Sequence, residues 1–196
     1  MVQAKISSDA ELARRIVERL GRRNIVLVGM MGAGKSSVGR RLASALGLSF
    51  VDADSEIEAA ANMSISEIFK IYGEEHFRDG ERRVIARLLA DGPKVVATGG
   101  GAFMSAETRQ RIAESAVSVW LRADLPVLVD RVRRRGKRPL LSHPEPERVM
   151  RELLARRDPV YAQADITVDS WDTAQRTIAQ EVLLALDAHL CREGGR

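Results

Sequence analysis

Residues 29–36, Gly-Met-Met-Gly-Ala-Gly-Lys-Ser, place glycines, a lysine and a hydroxyl directly behind an apolar run. The spacing Gly29-x-x-x-x-Gly34-Lys35-Ser36 is that of a phosphate-binding loop. Glycines let backbone N–H groups turn inward and approach phosphate oxygens closely. The helix expected after the loop offers its unpaired N–H groups and the positive end of its dipole to the same anion. Lys35 supplies a point charge for the β- and γ-phosphates, and the Ser36 hydroxyl can ligate Mg²⁺.

Further groups with chemical potential follow the loop. Asp52 ends an apolar run, where a carboxylate beside a nucleotide can hold Mg²⁺ directly or through water. A strand-end turn aspartate is the plainer reading. Asp54 lies two residues on, and in an extended segment both carboxylates point to the same side. It could take or orient a hydroxyl proton, cap a helix over "SEIEAA", or do both. Arg78 and Glu81 are three apart on an expected helix, a spacing that is usually surface decoration; Phe77 adds an apolar flank. Thr98-Gly99-Gly100-Gly101 suits a ligand lying against the backbone. Arg156 and Arg157 precede a proline at an expected helix end, where either could neutralise that terminus.

These groups need a scaffold, and the patterning supplies one. Apolar runs at 24–29, 48–54, 94–101, 116–121 and 165–169 read as strands, three of them leading into the glycines or carboxylates above. Between them lie helical patterns: Val38, Leu42 and Leu46; a helical stretch over 55–91 with a capping box at Ser64-x-x-Glu67; 105–115; a helix after Asp124; about 147–157; and Ile178, Val182, Leu186 and Leu190. Five alternations of strand and helix predict an α/β domain with a five-stranded parallel sheet covered on both faces. Residues 1–22 read as an N-terminal helical extension, with Ser8-x-x-Glu11 as a capping box and Leu12, Ile16, Val17 and Leu20 as its apolar face. Residues 23–196 read as the single domain. The arginine- and proline-rich stretch within 130–147 opposes regular structure, and unstructured loops of that length are usually functional.

A chain of 196 residues with net charge +4, in which arginine far outnumbers lysine, suits a single domain handling anionic ligands. One cysteine, Cys191, excludes a disulfide within the chain and points to a reducing cytoplasm. The longest uncharged apolar run, Ile25–Gly34, is interrupted by glycines and is far short of the roughly 20 residues of a membrane span. Asn24 and Asn62 are the only asparagines, so the Asn-Lys-x-Asp motif of a guanine switch is missing. A small phosphotransferase remains. Its rivals are a gluconate-type or nucleotide kinase of the same fold, and an RNA-binding module using "RVRRRGKR". The second is disfavoured because no stacking aromatics interleave with the charges. His76, His143 and His189 are scattered and are assigned to surface or packing.

"GMMGAGKSSVGRRLASALG", "DADSEIE", "GEEHFRDGE", "TGGGA", "RVRRRGKRPLL" and "RRDPVY", in that order, resemble shikimate kinase over about residues 24–190. The resemblance implies a three-layer phosphate-loop kinase with a substrate-binding helical segment at about 54–91 and a mobile lid at about 132–147. The implied reaction is Mg²⁺-dependent transfer of the ATP γ-phosphoryl group to the 3-hydroxyl of shikimate. By similarity, ATP would be held by Gly32, Ala33, Gly34, Lys35, Ser36, Ser37, Arg131 against adenine, and Arg138 from the lid. Asp54 would bind substrate hydroxyls and assist proton removal. Arg78 and Arg157 would hold the carboxylate. Glu81 would orient Arg78, Phe69 and Phe77 would wall the ring, and Gly99, Gly100 and Gly101 would line the pocket. Ser36 and Asp52 would form the magnesium shell, and Lys35, Asp54 and Arg138 the catalytic set. Shikimate and ATP are the expected partners of a cytoplasmic monomer that binds neither nucleic acid nor membrane. Ser37 stands where the family often has Thr, and Ser170-Trp171-Asp172 follows Asp169 where some members place an arginine.

Overall fold

The computed structural model describes residues 2–135 and 145–194. Five strands, β1 (Asn24–Val28), β2 (Ser49–Asp52), β3 (Lys94–Ala97), β4 (Ala116–Arg122) and β5 (Ile166–Asp169), form one sheet in the order β2-β3-β1-β4-β5. Every pairing is parallel; Val26 of β1, for instance, sits between Val96 of β3 and Ser118 of β4. All five residues of β1 and the first six of β4 are buried. Side chains alternate between faces along a strand, so this continuous burial requires cover on both sides.

The cover comes from α1 (Val2–Leu20), α2 (Lys35–Leu46), α3 (Ala53–Ala61), α4 (Ile65–Ala90), α5 (Ala106–Ser115), α6 (Leu125–Arg135), α7 (Pro146–Tyr161) and α8 (Gln175–Glu193). α1, α2 and α8 pack on one another; α5 packs on α4, and α7 on α6. The stripe Val38, Leu42 and Leu46 on α2 is buried, as are Ile178, Val182, Leu186 and Leu190 on α8. A helix spaced in this way gains about 1.5–3 kcal/mol for each large side chain removed from water.

Several local expectations are corrected. The helical stretch over 55–91 is two helices: α3 stops at Asn62, which adopts left-handed backbone, and Ser64 starts α4 with the expected capping box to Glu67. α4 bends again at Gly73 (φ 82°, ψ 175°). The second strand ends at Asp52, so Asp54 lies in the first turn of α3 and not in an extended segment. The cap of that helix is Asp52, whose carboxylate accepts from the Asp54 N–H, so Asp54 itself does not cap "SEIEAA". The third strand stops at Ala97, and the glycines lie beyond it. α7 continues through Pro159 to Tyr161, so Arg157 sits within the helix one turn before its end. α1 begins before Ser8, so Ser8-x-x-Glu11 is not the start of that helix.

α1 buries Leu12, Ile16 and Leu20 in the common core, with Ile16 wholly inaccessible. Its Arg15 and Arg19 both donate to Asp187 of α8 at 3.0 Å. These exposed pairs add little; the apolar face holds the helix. Ile16→Ala is therefore expected to cost about 2–5 kcal/mol of unfolding free energy, read by urea denaturation. A loss below about 0.5 kcal/mol, the size of an ordinary surface substitution, would show α1 to be a loosely attached arm.

Candidate active site

The chemistry gathers at the carboxyl edge of the parallel sheet, where ligands of open α/β folds bind. The loop after β1 turns on left-handed glycines: Gly29 (φ 133°), Gly32 (φ 85°) and Gly34 (φ 98°). At Gly29 a side chain is excluded by space as well, since a Cβ would lie 2.6 Å from the Leu121 carbonyl of β4. Lys35 opens α2 and donates to the carbonyls of Gly29 (2.7 Å) and Met30 (3.0 Å) across the loop. Its ammonium is thereby held over the cradle. Ser36 Oγ donates to Asp52 Oδ2 at 2.6 Å, which brings the hydroxyl and the carboxylate named as metal ligands into contact.

Beyond β3, residues 99–101 form a turn whose missing side chains make room for charged groups. A Cβ on Gly99 would lie 2.6 Å from Asp54 Oδ1 and 2.9 Å from Glu81 Oε1. One on Gly101 would lie within 2.7 Å of three guanidinium atoms of Arg78. At Gly100 the neighbours would be Met31 N of the phosphate loop and Arg157 Nη1, at 3.4 and 3.6 Å. The turn thus touches the carboxylates, both arginines and the nucleotide loop. Two clefts open onto it. One is a narrow polar slot lined by Lys35, Ser36, Asp52, Asp54 and Gly100. The other, of about 370 Å³, is lined by Glu74, Arg78, Glu81, Gly101 and Arg157, among others.

Arg78 Nη1 donates to Glu81 Oε2 at 2.7 Å, and the Arg78 guanidinium also reaches Glu74. The bland reading of this i,i+3 pair as surface decoration does not hold, because Glu81 is only 3% exposed. Burial pushes the Glu81 carboxyl above the usual glutamate range; Arg78 opposes that, and Asp54 adds to it. Burial works against the Arg78 charge in turn, but Glu81 and Glu74 outweigh it and hold its pKa above the ordinary arginine value. A paired, half-buried guanidinium keeps its fork in one orientation, which favours a planar carboxylate ligand.

The remaining expected residues fall around these clefts. Phe77 is buried, with the Arg78 guanidinium 5.0 Å from its ring centre. Phe69 lies 4.6 Å from Phe77 and is 37% exposed, and neither ring lines the two clefts above. A larger apolar groove between α3 and α4, about 550 Å³, shares Phe77 with this region. Its lining has none of the carboxylate and phosphate-loop groups gathered at the turn, so the smaller polar clefts are the candidate site. Arg131 of α6 bonds Ser170 Oγ at 2.9 Å and the Trp171 carbonyl, while Ser170 Oγ donates to the Ala33 carbonyl at 2.7 Å. The segment after β5 is thereby tied to the phosphate loop, with Arg131 between them. Ser37 follows Ser36 in the first turn of α2, and its carbonyl accepts from Arg41. Arg138 lies outside the described residues.

Comparison with known proteins bears on the chemistry of this site. The family model for shikimate kinase matches residues 31–187. A shikimate kinase of Bradyrhizobium diazoefficiens is 57% identical over 193 residues, covering 98% of this chain and 93% of that one. One from Rhodopseudomonas palustris is 58% identical over 176 residues, covering 90% and 87%. The chain belongs to the shikimate kinase family. A solved shikimate kinase from Acinetobacter baumannii, in complex with shikimate, superposes with a TM-score of 0.78 at 40% identity, covering 83% of this chain and 91% of that one.

Sequence reasoning passed over several residues that line or support the site of this shikimate kinase family member. Thr98 is buried, donates from Oγ1 to the Leu27 carbonyl at 3.0 Å and lines the polar slot. Met31 lines the same slot, and Met104 and Ser105 line the wider cleft. Tyr161 is wholly buried beside the glycine turn. Thr98 carried a signal, since it sits between the strand and the three glycines; the others depend on non-local packing.

The raised Glu81 pKa has a stability consequence. Below the unfolded-state glutamate value the carboxyl is protonated in both states. As pH rises through the raised folded value, the unfolded chain has already lost its proton and stability falls. A Gln at this position does not titrate. The stability deficit of Glu81→Gln relative to the parent is therefore expected to shrink from pH 4.5 to pH 8, followed by urea melts. A deficit that grows over this range would mean that Arg78 dominates the titration.

Proposed function

We propose that the chain transfers the γ-phosphoryl group of ATP to the 3-hydroxyl of shikimate, releasing ADP and shikimate 3-phosphate. The observation that carries this reading is the glycine turn 99–101. It touches Asp54 and Glu81 at Gly99, Arg157 at Gly100 and Arg78 at Gly101, and so joins the slot that holds Asp54 and Lys35 to the wider cleft that holds Arg78, Glu81 and Arg157. A hydroxylated carboxylic acid matches that set. Arg78 and Arg157 take the planar carboxylate through paired N–H donors. Asp54 takes a ring hydroxyl and draws its proton as the oxygen attacks. Glu81 keeps Arg78 charged and aimed, and the Phe77 ring, 5.0 Å from the guanidinium, backs it.

Phosphoryl transfer needs alignment and positive charge around the moving group more than covalent help. Gly32, Ala33, Gly34, Ser36 and Ser37 present loop and helix N–H groups to the polyphosphate. Lys35 exchanges its loop carbonyls for phosphate oxygens, and Arg131 flanks the base. Ser36 Oγ and Asp52 Oδ2 are hard oxygen donors 2.6 Å apart, a set that fits Mg²⁺. Among the described residues no cluster of three or more His, Cys, Asp or Glu could cage a metal. The proposed ion draws its other ligands from substrate phosphates and water. When bound, Mg²⁺ supplies neutralising charge at the β- and γ-phosphates. Among the described residues no helix is long and apolar enough to cross a membrane. A cytoplasmic enzyme acting as a monomer remains part of the proposal.

A coupled assay with ATP, Mg²⁺ and a panel of acids, sugars and nucleotides tests the reading; ADP release is expected with shikimate, and turnover of another acceptor in its place would overturn it. Arg157→Lys is expected to raise the shikimate KM about ten- to hundredfold, the value of a charge-assisted hydrogen bond, with the ATP KM little changed. An unchanged shikimate KM would remove Arg157 from the carboxylate site. Asp54→Asn is expected to lower kcat about 10²–10⁴-fold while nucleotide binding persists. Equal loss of turnover and nucleotide affinity would make Asp54 structural.

A further inference from the structure

Tyr161 belongs to none of the roles above, yet its placement is specific. It is the last residue of α7, one helical turn beyond Arg157, so the two side chains share a face. The ring is wholly buried. It stacks on Trp120 of β4 (5.8 Å, 29° between planes) and on Phe103 of the short 3₁₀ turn Ala102–Met104 (6.4 Å, 20°). Its hydroxyl donates to the Gly100 carbonyl. Arg157 Nη1 donates to that same oxygen at 3.1 Å. Burial pushes the Tyr161 phenol up to about 12, with the Arg157 charge opposing, so the hydroxyl keeps its proton and remains a donor throughout the working range.

We propose that Tyr161 is a positioning residue for the acceptor substrate: by clamping the Gly100 carbonyl it sets the anchor on which Arg157 is oriented toward the substrate carboxylate. The inference rests on the functional reading above. Gly100 has no side chain of its own to fix the turn, and arginine has four rotatable bonds. A carbonyl held on one lone pair by an immobile phenol gives the guanidinium a fixed acceptor on the other. Arg157 then spends its Nη1 on the protein, on the Gly100 carbonyl and on the Met30 sulfur at 3.8 Å, and keeps the rest of its fork for the ligand, without losing side-chain entropy at the moment of binding. Met31 N of the phosphate loop lies near the same glycine, 3.4 Å from where its Cβ would be.

Tyr161→Phe retains both ring stacks and removes only the hydroxyl. Steady-state kinetics are expected to show the shikimate KM raised about three- to tenfold, the range for one neutral hydrogen bond, with the ATP KM and kcat each within about twofold. The decisive arm is the double-mutant cycle with Arg157→Ala. In that background Tyr161→Phe is expected to leave the shikimate KM unchanged, because the group it positions is gone. Additive effects would overturn the inference. So would an unchanged shikimate KM in the single variant, or KM values for both substrates rising together with a lower melting temperature, which is the signature of a packing role alone. A parent enzyme that does not turn over shikimate would instead remove the functional reading on which the inference stands.

Discussion

The two polar clefts at the carboxyl edge of the sheet meet because residues 99–101 have no side chains. Any Cβ on Gly99 would fall on the carboxylates of Asp54 and Glu81, and any on Gly101 would fall on the Arg78 guanidinium. Two acids and two arginines from α3, α4 and α7 can converge only because the third strand ends in bare backbone. The constraint reaches the nucleotide side too, since Gly100 abuts Met31 of the phosphate loop. One stretch of backbone therefore sets the distance between the phosphoryl donor cradle and the groups that would hold the acceptor.

Burying charge there is costly, and the structure shows how the cost is contained. Glu81 is almost inaccessible, and its carboxyl is pushed upward by burial. Arg78 meets it at 2.7 Å and is itself backed by the more exposed Glu74. Such a pair adds little net stability, because desolvation offsets attraction. Its value is orientation: the guanidinium enters the cleft already aimed and charged. Arg157 is treated differently, held by a backbone carbonyl and the Met30 sulfur at 3.8 Å instead of by a carboxylate. The two arginines expected to take one carboxylate thus differ in how much of their charge is already neutralised.

The phosphate loop itself was readable from sequence, because its geometry is local. A strand, a glycine loop and a helix start are consecutive in the chain, and Lys35 reaches carbonyls only five and six residues away. The acceptor half was readable only in part. Residue types and the family resemblance named Asp54, Arg78, Glu81 and Arg157, but local pattern reasoning placed several of them wrongly. It ran one helix across Asn62, left Asp54 in an extended segment and ended α7 before Pro159. The break at Asn62 is local, a left-handed residue followed by the Ser64 cap, whereas for Asp54 and α7 the deciding factor was non-local. β2 ends where its pairing with β3 runs out at Asp52 and Ala97, and the last turn of α7 is held by the burial of Tyr161 against Trp120 and Phe103.

The amino-acid sequence alone determined the α/β class, the five strands, the phosphate loop and the kinase family, since these rest on short-range periodicity and on motifs whose spacing encodes their geometry. Tertiary structure decided the strand order β2-β3-β1-β4-β5, the burial of Glu81, the contact of Ser36 with Asp52, and the meeting of Arg157 with Tyr161 at Gly100. Those facts depend on which elements pack together after the chain has crossed the sheet, a property of long-range contacts that a one-dimensional pattern does not contain.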